Sequence, residues 1–166
     1  MKNESASFGI VTTWRGGMAS ESTSHTHLRR GRRYSSTRHI IHADEPRLLG
    51  GRNTAPTPQA LLLTAFNACM MATFAGEAAR EHIRLAHLEI ETDCRFDLLA
   101  RASNINGNPD TLHYLIRVNG EANAEQFEKL HRLAIARSPT RWLLAQNMII
   151  EGDLCSETLQ EKQESC

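Results

Sequence analysis

The amino-acid sequence predicts an α+β fold in which one long apolar helix packs on largely antiparallel sheets. Three observations support this class. The stretch from Ala55 to Phe74 has no charged side chain, strand-like alternation occurs on both sides of it, and two shorter helical segments follow later. A chain of 166 residues is within the size of one domain. We therefore expect a single domain over residues 1–166, with frayed tails at 1–7 and 155–166.

The segment before the apolar stretch is predicted to be mostly extended. Residues from Phe8 to Trp14 follow a strand pattern that ends at Arg15 and at the turn formers Gly16 and Gly17. A second extended segment is predicted from Tyr34 to Ala43. The sequence DEPRLLGGRNTAP then predicts a loop, because it combines two prolines with a glycine pair.

The apolar stretch itself predicts a helix from about Thr57 to Arg80, with Thr57 as the N-cap and Pro58 in the first turn. A membrane span needs about twenty strongly apolar residues, and polar residues and alanines dilute this stretch. A helix that is apolar nearly all round must otherwise be enclosed by protein on most sides. In a domain of this size only the centre offers that cover, and an intertwined dimer would supply it most easily.

Three strands are predicted after this helix. From Leu85 to Phe96 apolar residues alternate with charged ones, so one face of that strand is buried and the other is wet. The turn cluster SNINGNPD separates it from a strand that contains Leu112 to Val118. The last strand is predicted from Met148 to Leu154.

Two helices are predicted between the second and third of these strands. Asn123 and Gln126 form the pattern of a capping box ahead of an amphipathic helix. Ser138 and Pro139 are a good cap and first-turn pair for a short helix.

Composition narrows the possible functions. The formal net charge is zero and aromatic residues make up only 5% of the chain, which argues against a nucleic-acid partner. The polar start lacks the apolar centre of a secretory signal, so we expect a cytoplasmic protein. Four widely spaced cysteines, with no CxxC pair, indicate neither a metal site nor a disulfide framework. We expect no cofactor, and a chemically active cysteine would act as a thiol.

The sequence DEPRLLGGRNTAPTPQALLLTAFNACMMATF, with LEIETD downstream, resembles the OsmC/Ohr family of osmotically induced and organic hydroperoxide resistance proteins. The family signature is a GG-x-N/D-x-x-P-x-P loop that leads into a central helix with an embedded cysteine. Weaker similarity extends from WRGG near the start to ARSPTRWLL near the end. The resemblance implies a homodimer in which sheets of both subunits enclose two central helices. It also implies thiol-dependent reduction of organic hydroperoxides.

The same resemblance assigns the peroxidatic cysteine to Cys69. The thiolate is the nucleophile, and a thiolate in an apolar helix needs a nearby cation or hydrogen-bond donor. An arginine near the end of an early strand supplies this charge in the family, and Arg15 fits that position. Attack on the peroxide oxygen would give a sulfenic acid, which a second thiol normally converts to a disulfide.

Two positions depart from the family pattern. The carboxylate that orients the arginine lies ten residues before the cysteine, and this position is the neutral Gln59. Ten helical residues rise about 15 Å, so a composite site would use Gln59 of the partner subunit. The family's resolving cysteine precedes a proline at the start of a late helix, where this chain has Ser138 and Pro139. Serine cannot form a disulfide, and nothing in the spacing supports Cys155 or Cys166 as substitutes.

Three functions remain open from sequence alone. The first is a thiol peroxidase that uses Cys69, acts on an organic hydroperoxide and depends on an external thiol reductant. The second is a non-catalytic homodimer of the same fold that binds a small lipophilic molecule over Cys69. The third, which the neutral charge makes the weakest, is nucleic-acid or surface binding through the basic run Arg29, Arg30, Arg32 and Arg33. We expect neither a nucleic-acid nor a membrane partner.

Overall fold

A computed structural model describes residues 6–24, 27–29, 32–34, 38–96 and 110–158. These residues form two compact units, with the division between Leu62 and Leu63. The expectation of one domain over the whole chain stays a prediction.

The described part of the first unit forms six short strands in two antiparallel sheets. The strands are β1 (Ala6–Ser7), β2 (Ile10–Trp14), β3 (Ser20–Ser24), β4 (His27–Arg29), β5 (Arg32–Tyr34) and β6 (Ile40–Ala43). One sheet has the order β1-β4-β5 and the other β2-β3-β6. The predicted first strand is thus confirmed over 10–14, and the predicted second extended segment is confirmed at Tyr34 and over 40–43. Residues 35–37 and the side chains of 27–34 lie outside the described part of the chain.

The loop that leads to the long helix is organised by one buried carboxylate. Asp44 is 1% exposed and accepts hydrogen bonds from the backbone N–H groups of Glu45, Arg52 and Thr54. It also accepts one from the Thr54 hydroxyl at 2.7 Å. These donors lower the pKa of Asp44 from 3.8 to about 2, with the Thr54 hydroxyl the largest cause. Asp44 therefore draws ten residues of loop around a single side chain, as acidic residues in turns often do.

The long helix α1 spans Pro58–Arg80, close to its predicted bounds. The Thr57 hydroxyl accepts a hydrogen bond from the Ala60 N–H at 3.2 Å, so Thr57 caps the helix as predicted. By length and composition α1 is the one helix in the described part of the chain that could cross a membrane.

Among its described residues, the second unit continues with three strands and two helices. They are β7 (Leu85–Arg95), β8 (Thr111–Gly120), α2 (Ala124–Arg137), α3 (Pro139–Leu144) and β9 (Ile149–Thr158). The reciprocal hydrogen bonds of Asn123 and Gln126 confirm the capping box at α2. Of the turn cluster between β7 and β8, only Asp110 lies among the described residues.

The sheet of the second unit has the order β7-β8-β9 and is mixed. β7 is antiparallel to β8, whereas β9 is parallel to β8 because α2 and α3 carry the chain back to the other end of the sheet. All the other strand pairs among the described residues are antiparallel, so the predicted largely antiparallel character is confirmed. β9 remains paired with β8 through Thr158, so the residues from 155 to 158 are ordered by the sheet rather than frayed. Similarly, Ala6 and Ser7 form β1.

The core of the second unit lies between α1, α2 and the inner face of the sheet. α1 contributes Phe66, Met70, Phe74 and Ala78, whose four-residue spacing forms one stripe along the helix. The inner faces of β7 and β8 supply the alternating residues that the sequence predicted, including Ile90, Leu112, Tyr114, Ile116 and Val118. Only 17% of the most apolar 18-residue segment of α1 is buried. Within one chain the helix is therefore not enclosed on most sides. A single stripe is covered because one sheet and one helix pack against it.

Loss of the Asp44 carboxylate should destabilise the protein in a pH-dependent way. Because the folded pKa of about 2 lies below the ordinary 3.8, the ionised side chain stabilises the fold above pH 3.8. This stabilisation is lost as the pH falls toward 2. Asp44→Asn should therefore lower the midpoint of thermal unfolding at neutral pH, and its difference from wild type should shrink below pH 4.

The matched control is Asp93→Asn, which removes an exposed carboxylate on β7. Its difference from wild type should stay small throughout the same pH series. A difference for Asp44→Asn that does not change between neutral and acidic pH would contradict this account of the loop.

Candidate active site

Cys69 lies half-buried on the flank of α1, beside the stripe that packs into the core. Residues 69, 73 and 77 are spaced by four and therefore share one face of the helix. Thr73 donates its hydroxyl hydrogen to the Cys69 carbonyl at 2.8 Å, and Glu77 is a buried carboxylate two turns beyond the cysteine. This face of α1 thus presents a thiol and an acid to whatever packs on it.

The junction between α2 and α3 packs on this face. Arg137, the last residue of α2, donates to Glu77 at 2.6 Å, and Arg80 donates to the same carboxylate. The two guanidinium groups, Arg137 first, lower the pKa of Glu77, so this nearly buried carboxyl is ionised at neutral pH. Because Arg137 precedes Ser138 directly, the ion pair places Ser138 close to the preceding turns of α1.

Ser138 is 1% exposed and takes part in several interactions at this junction. Its N–H donates to the Ala134 carbonyl at the end of α2, and its hydroxyl oxygen accepts from the Arg141 N–H at the start of α3. The predicted cap is therefore confirmed, with Pro139 in the first turn. The Ser138 hydroxyl also donates to the Cys69 sulfur at 3.3 Å.

The hydrogen bonds around Cys69 favour its thiolate. Partial burial raises the pKa of the thiol, but donation from Ser138, and from the hydroxyl and N–H of Thr140, lowers the pKa below its ordinary value. Cys94, on the inner face of β7, shows the opposite behaviour. Burial, followed by the carboxylates of Asp110 and Asp93, raises the pKa of that thiol. The two half-buried cysteines of this unit thus differ in the donors that surround them.

A buried polar group supports the start of α3. The Tyr114 hydroxyl and the His131 Nε2 are 2.9 Å apart, and the Arg141 side chain hydrogen-bonds to Tyr114. Burial lowers the pKa of His131, so its ring is neutral at neutral pH and its Nε2 can accept a hydrogen bond from the tyrosine hydroxyl. Gly152 of β9 lies against the Tyr114 ring, where a Cβ would be 2.1 Å from the nearest ring atom. Arg141 thus ties α3 to the sheet, and His131 ties α2 to the same tyrosine.

The other two residues that the sequence indicated belong to the first unit. Arg15 follows β2 and forms an ion pair with Glu21, with 2.7 Å between Nη2 and Oε1. Gln59 lies partly exposed in the first turn of α1. Among the described residues of the first unit, no hydrogen bond or ion pair joins Gln59 to Arg15.

Sequence reasoning missed Thr140, and it placed Ser138 at a helix cap and at the family's resolving-cysteine position without predicting its hydrogen bond to Cys69. The hydroxyl-rich SPT sequence at the start of a short helix is a signal for Thr140, because first-turn groups are available donors. The signal for Asp44 is an acidic residue immediately before a loop rich in proline and glycine. The side chains of the basic run from Arg29 to Arg33 lie outside the described residues.

The sequence profile of the family described as OsmC-like protein matches residues 51–151, which is more than half of the chain and includes Cys69 and Ser138. The chain belongs to the OsmC-like protein family. Proteins of this family are soluble, so membership assigns α1 to a protein core rather than to a bilayer. No curated protein sequence matches this chain significantly.

Solved structures with the same fold include three from bacteria. An OsmC-like protein of Mycoplasma pneumoniae has a TM-score of 0.69 at 14% identity, covering 94% of this chain and 99% of its own. The organic hydroperoxide resistance protein of Elizabethkingia anophelis has a TM-score of 0.65 at 16% identity, covering 95% and 100%. The organic hydroperoxide resistance protein OhrB of Bacillus subtilis has a TM-score of 0.57 at 18% identity, covering 90% and 98%. At these identities the similarity establishes the fold alone.

Removal of either hydroxyl donor should raise the pKa of Cys69. Ser138→Ala removes one donor and also the cap of α3, at a cost of about 1 kcal/mol, whereas Thr140→Val leaves the cap in place. In both variants the midpoint of the pH profile for alkylation of Cys69 by iodoacetamide should move to higher pH, because less of the thiol is ionised.

Thr73→Val is the matched control, since the Thr73 hydroxyl bonds the Cys69 carbonyl and not its sulfur. Its alkylation profile should match wild type. An unchanged midpoint in Thr140→Val together with Ser138→Ala would show that these hydroxyls do not stabilise the thiolate.

Proposed function

We propose that this protein is a thiol-dependent reductase of organic hydroperoxides in which Cys69 is the peroxidatic residue. The observation that carries the proposal is the group of donors around the Cys69 sulfur, namely the Ser138 hydroxyl at 3.3 Å and the Thr140 groups. A thiolate is the form that attacks a peroxide, and these donors favour it. Family membership, and the relatives described as organic hydroperoxide resistance proteins, point to the same chemistry.

The reaction begins with attack of the Cys69 thiolate on the terminal oxygen of the hydroperoxide. A sulfur–oxygen bond forms, the oxygen–oxygen bond breaks, and the alkoxide takes a proton and leaves as an alcohol. The cysteine is oxidised to a sulfenic acid and the hydroperoxide is reduced. The same hydroxyl donors can hydrogen-bond the sulfenic oxygen, and the cycle needs no cofactor.

Regeneration of the thiol requires a reductant from outside the chain. Ser138 occupies the position next to the sulfur from which a second cysteine could form a disulfide, and serine cannot do so. An external thiol therefore attacks the sulfenic sulfur, releases water and forms a mixed disulfide. A second external thiol then displaces Cys69. A cytoplasmic location would supply such thiols at high concentration.

Arg15 is the cation that we propose to assist this reaction, with Gln59 as a neutral residue at the family's carboxylate position. The groups that lower the pKa of Cys69 within its own unit are uncharged hydrogen-bond donors. A guanidinium adds a positive charge that donors of this kind lack, and it can also bind the leaving oxygen. The assignment of both residues rests on the resemblance of the sequence to the family.

A second copy of the chain is the partner that we propose for the uncovered face of α1. Most of this apolar helix lies outside the buried stripe. Large apolar side chains are also exposed elsewhere on the chain, including Trp14, Leu48, Trp142 and Leu143. Monomeric soluble proteins rarely leave a large apolar patch exposed, so an interface is the expected use of the uncovered face of α1. The proposal agrees with the homodimer that the sequence resemblance implies.

The proposed activity predicts that Cys69 is indispensable for turnover. Purified Cys69→Ser protein should lose consumption of cumene hydroperoxide in the presence of dithiothreitol, because a serine hydroxyl is not ionised at neutral pH. Cys94→Ser is the matched control and should retain turnover, since it removes a thiol whose pKa is raised. Full turnover in Cys69→Ser would eliminate the proposal. Absence of turnover in wild type, with saturable binding of a fatty acid, would support the non-catalytic alternative.

The proposed dimer predicts a sedimentation mass twice that of the 18.6 kDa chain. Leu62→Arg places a charge on the exposed side of α1 and should shift the mass toward that of one chain. The control Glu89→Arg changes an exposed position on β7 and should leave the mass unchanged. A monomeric wild type at micromolar concentration would contradict the assembly.

A further inference from the structure

Strand register places three ionisable residues on one face of the β2-β3-β6 sheet. Glu21 of β3 pairs directly with Thr13 of β2 and with His42 of β6, and directly paired residues share a face. Arg15 lies two residues after Thr13, and its N–H still pairs with the Ala19 carbonyl at 2.9 Å. The alternation of the strand therefore continues to Arg15, whose side chain emerges on the face that carries Glu21.

Arg15 and Glu21 meet at the wall of a groove in the first unit. The distance from Arg15 Nη2 to Glu21 Oε1 is 2.7 Å, and the two side chains are 53% and 23% exposed. The groove has a volume of about 370 Å³, and its lining side chains include His42, Arg52 and Thr54. Hydrogen bonding from Arg15, followed by weaker effects of His42 and Arg38, lowers the pKa of Glu21. The acid is thus ionised at neutral pH and surrounded by basic groups.

We propose that Glu21 is the positioning carboxylate of Arg15, which holds the guanidinium in place for the reaction at Cys69. This inference rests on the proposed function, in which Arg15 assists the thiol. Gln59 carries no charge, and among the described residues of the first unit no hydrogen bond joins it to Arg15. Glu21 supplies both a negative charge and a hydrogen-bond acceptor, and it does so from a neighbouring strand rather than from the long helix.

The geometry explains how one carboxylate can orient the arginine and leave it available. A guanidinium has five N–H donors in a rigid plane, and the contact with Glu21 uses one terminal nitrogen. The remaining donors are left available for another acceptor, such as a peroxide oxygen. Without the carboxylate the long side chain would sample many rotamers, and the reactive arrangement would be rare.

An exposed ion pair of this kind contributes little to stability, so its effect on function can be measured separately. Glu21→Gln keeps the size of the side chain and removes its charge. We expect kcat/KM for cumene hydroperoxide to fall about tenfold or more, as misplacement of a catalytic group commonly does. The thermal unfolding midpoint should remain close to that of wild type. Glu89→Gln, which disrupts a comparable surface pair with Arg117 at 2.8 Å, is the matched control and should keep wild-type kcat/KM.

A double-mutant cycle identifies the partner through which Glu21 acts. Arg15→Met should lower kcat/KM at least as much as Glu21→Gln. In the Arg15→Met background the second substitution should have no further effect, because the group that Glu21 positions is gone. Additive losses, or wild-type kcat/KM in Glu21→Gln or Arg15→Met, would overturn the inference. Retention of turnover in Cys69→Ser would instead refute the proposed function, so the two failures are distinguished by different variants.

Discussion

The hydrogen bond from Ser138 to the Cys69 sulfur is the contact on which the functional account depends. It joins Cys69, in the middle of α1, to Ser138, at the junction of α2 and α3. The two residues are 69 positions apart in the sequence. The contact requires α1 to be long enough to present Cys69 and Glu77 on one face. It also requires the ion pair between Glu77 and Arg137, which brings the end of α2 to that face. A hydrogen bond between Arg141 of α3 and Tyr114 of β8 connects this junction to the sheet.

This arrangement uses one serine for two purposes. The Ser138 oxygen accepts from the first turn of α3 while its hydrogen is directed to sulfur, so capping and thiol stabilisation reinforce each other. A cysteine at the same position could offer a disulfide but would be a weaker donor and a poorer cap. Serine therefore gives this position a stronger local hydrogen bond than a thiol would. In the proposed reaction the reducing thiols then come from solution.

Much of the fold could be predicted because local patterns agree with the tertiary structure. Alternation in β7, the capping box before α2 and the hydroxyl cap of α1 each depend on neighbouring residues, and each is confirmed. The parallel pairing of β9 with β8 could not be read from the sequence, since strand direction depends on how the intervening helices cross the sheet. The apolar character of α1 on nearly all sides predicted that the helix is covered, and a second subunit remains the proposed source of the cover that one chain does not supply.

In the candidate site, too, some residues could be predicted from the sequence and others could not. Cys69 and the importance of positions 138 and 139 followed from sequence motifs. The donors on the sulfur did not, because Thr140 and Ser138 reach Cys69 only through long-range packing. The partner of Arg15 was equally hidden, since Glu21 is brought to it by strand register and not by a motif. Local sequence patterns do not predict contacts between segments that are distant in the chain.

The most direct test is peptide mapping by mass spectrometry of Ser138→Cys and wild-type protein after one equivalent of cumene hydroperoxide. Because the Ser138 oxygen lies 3.3 Å from the Cys69 sulfur, the new thiol should form a disulfide with Cys69 in the variant. In wild type the same oxidant should leave a sulfenic acid on Cys69 that dimedone traps. Unmodified Cys69 in both proteins, or oxidation confined to other cysteines, would contradict the account.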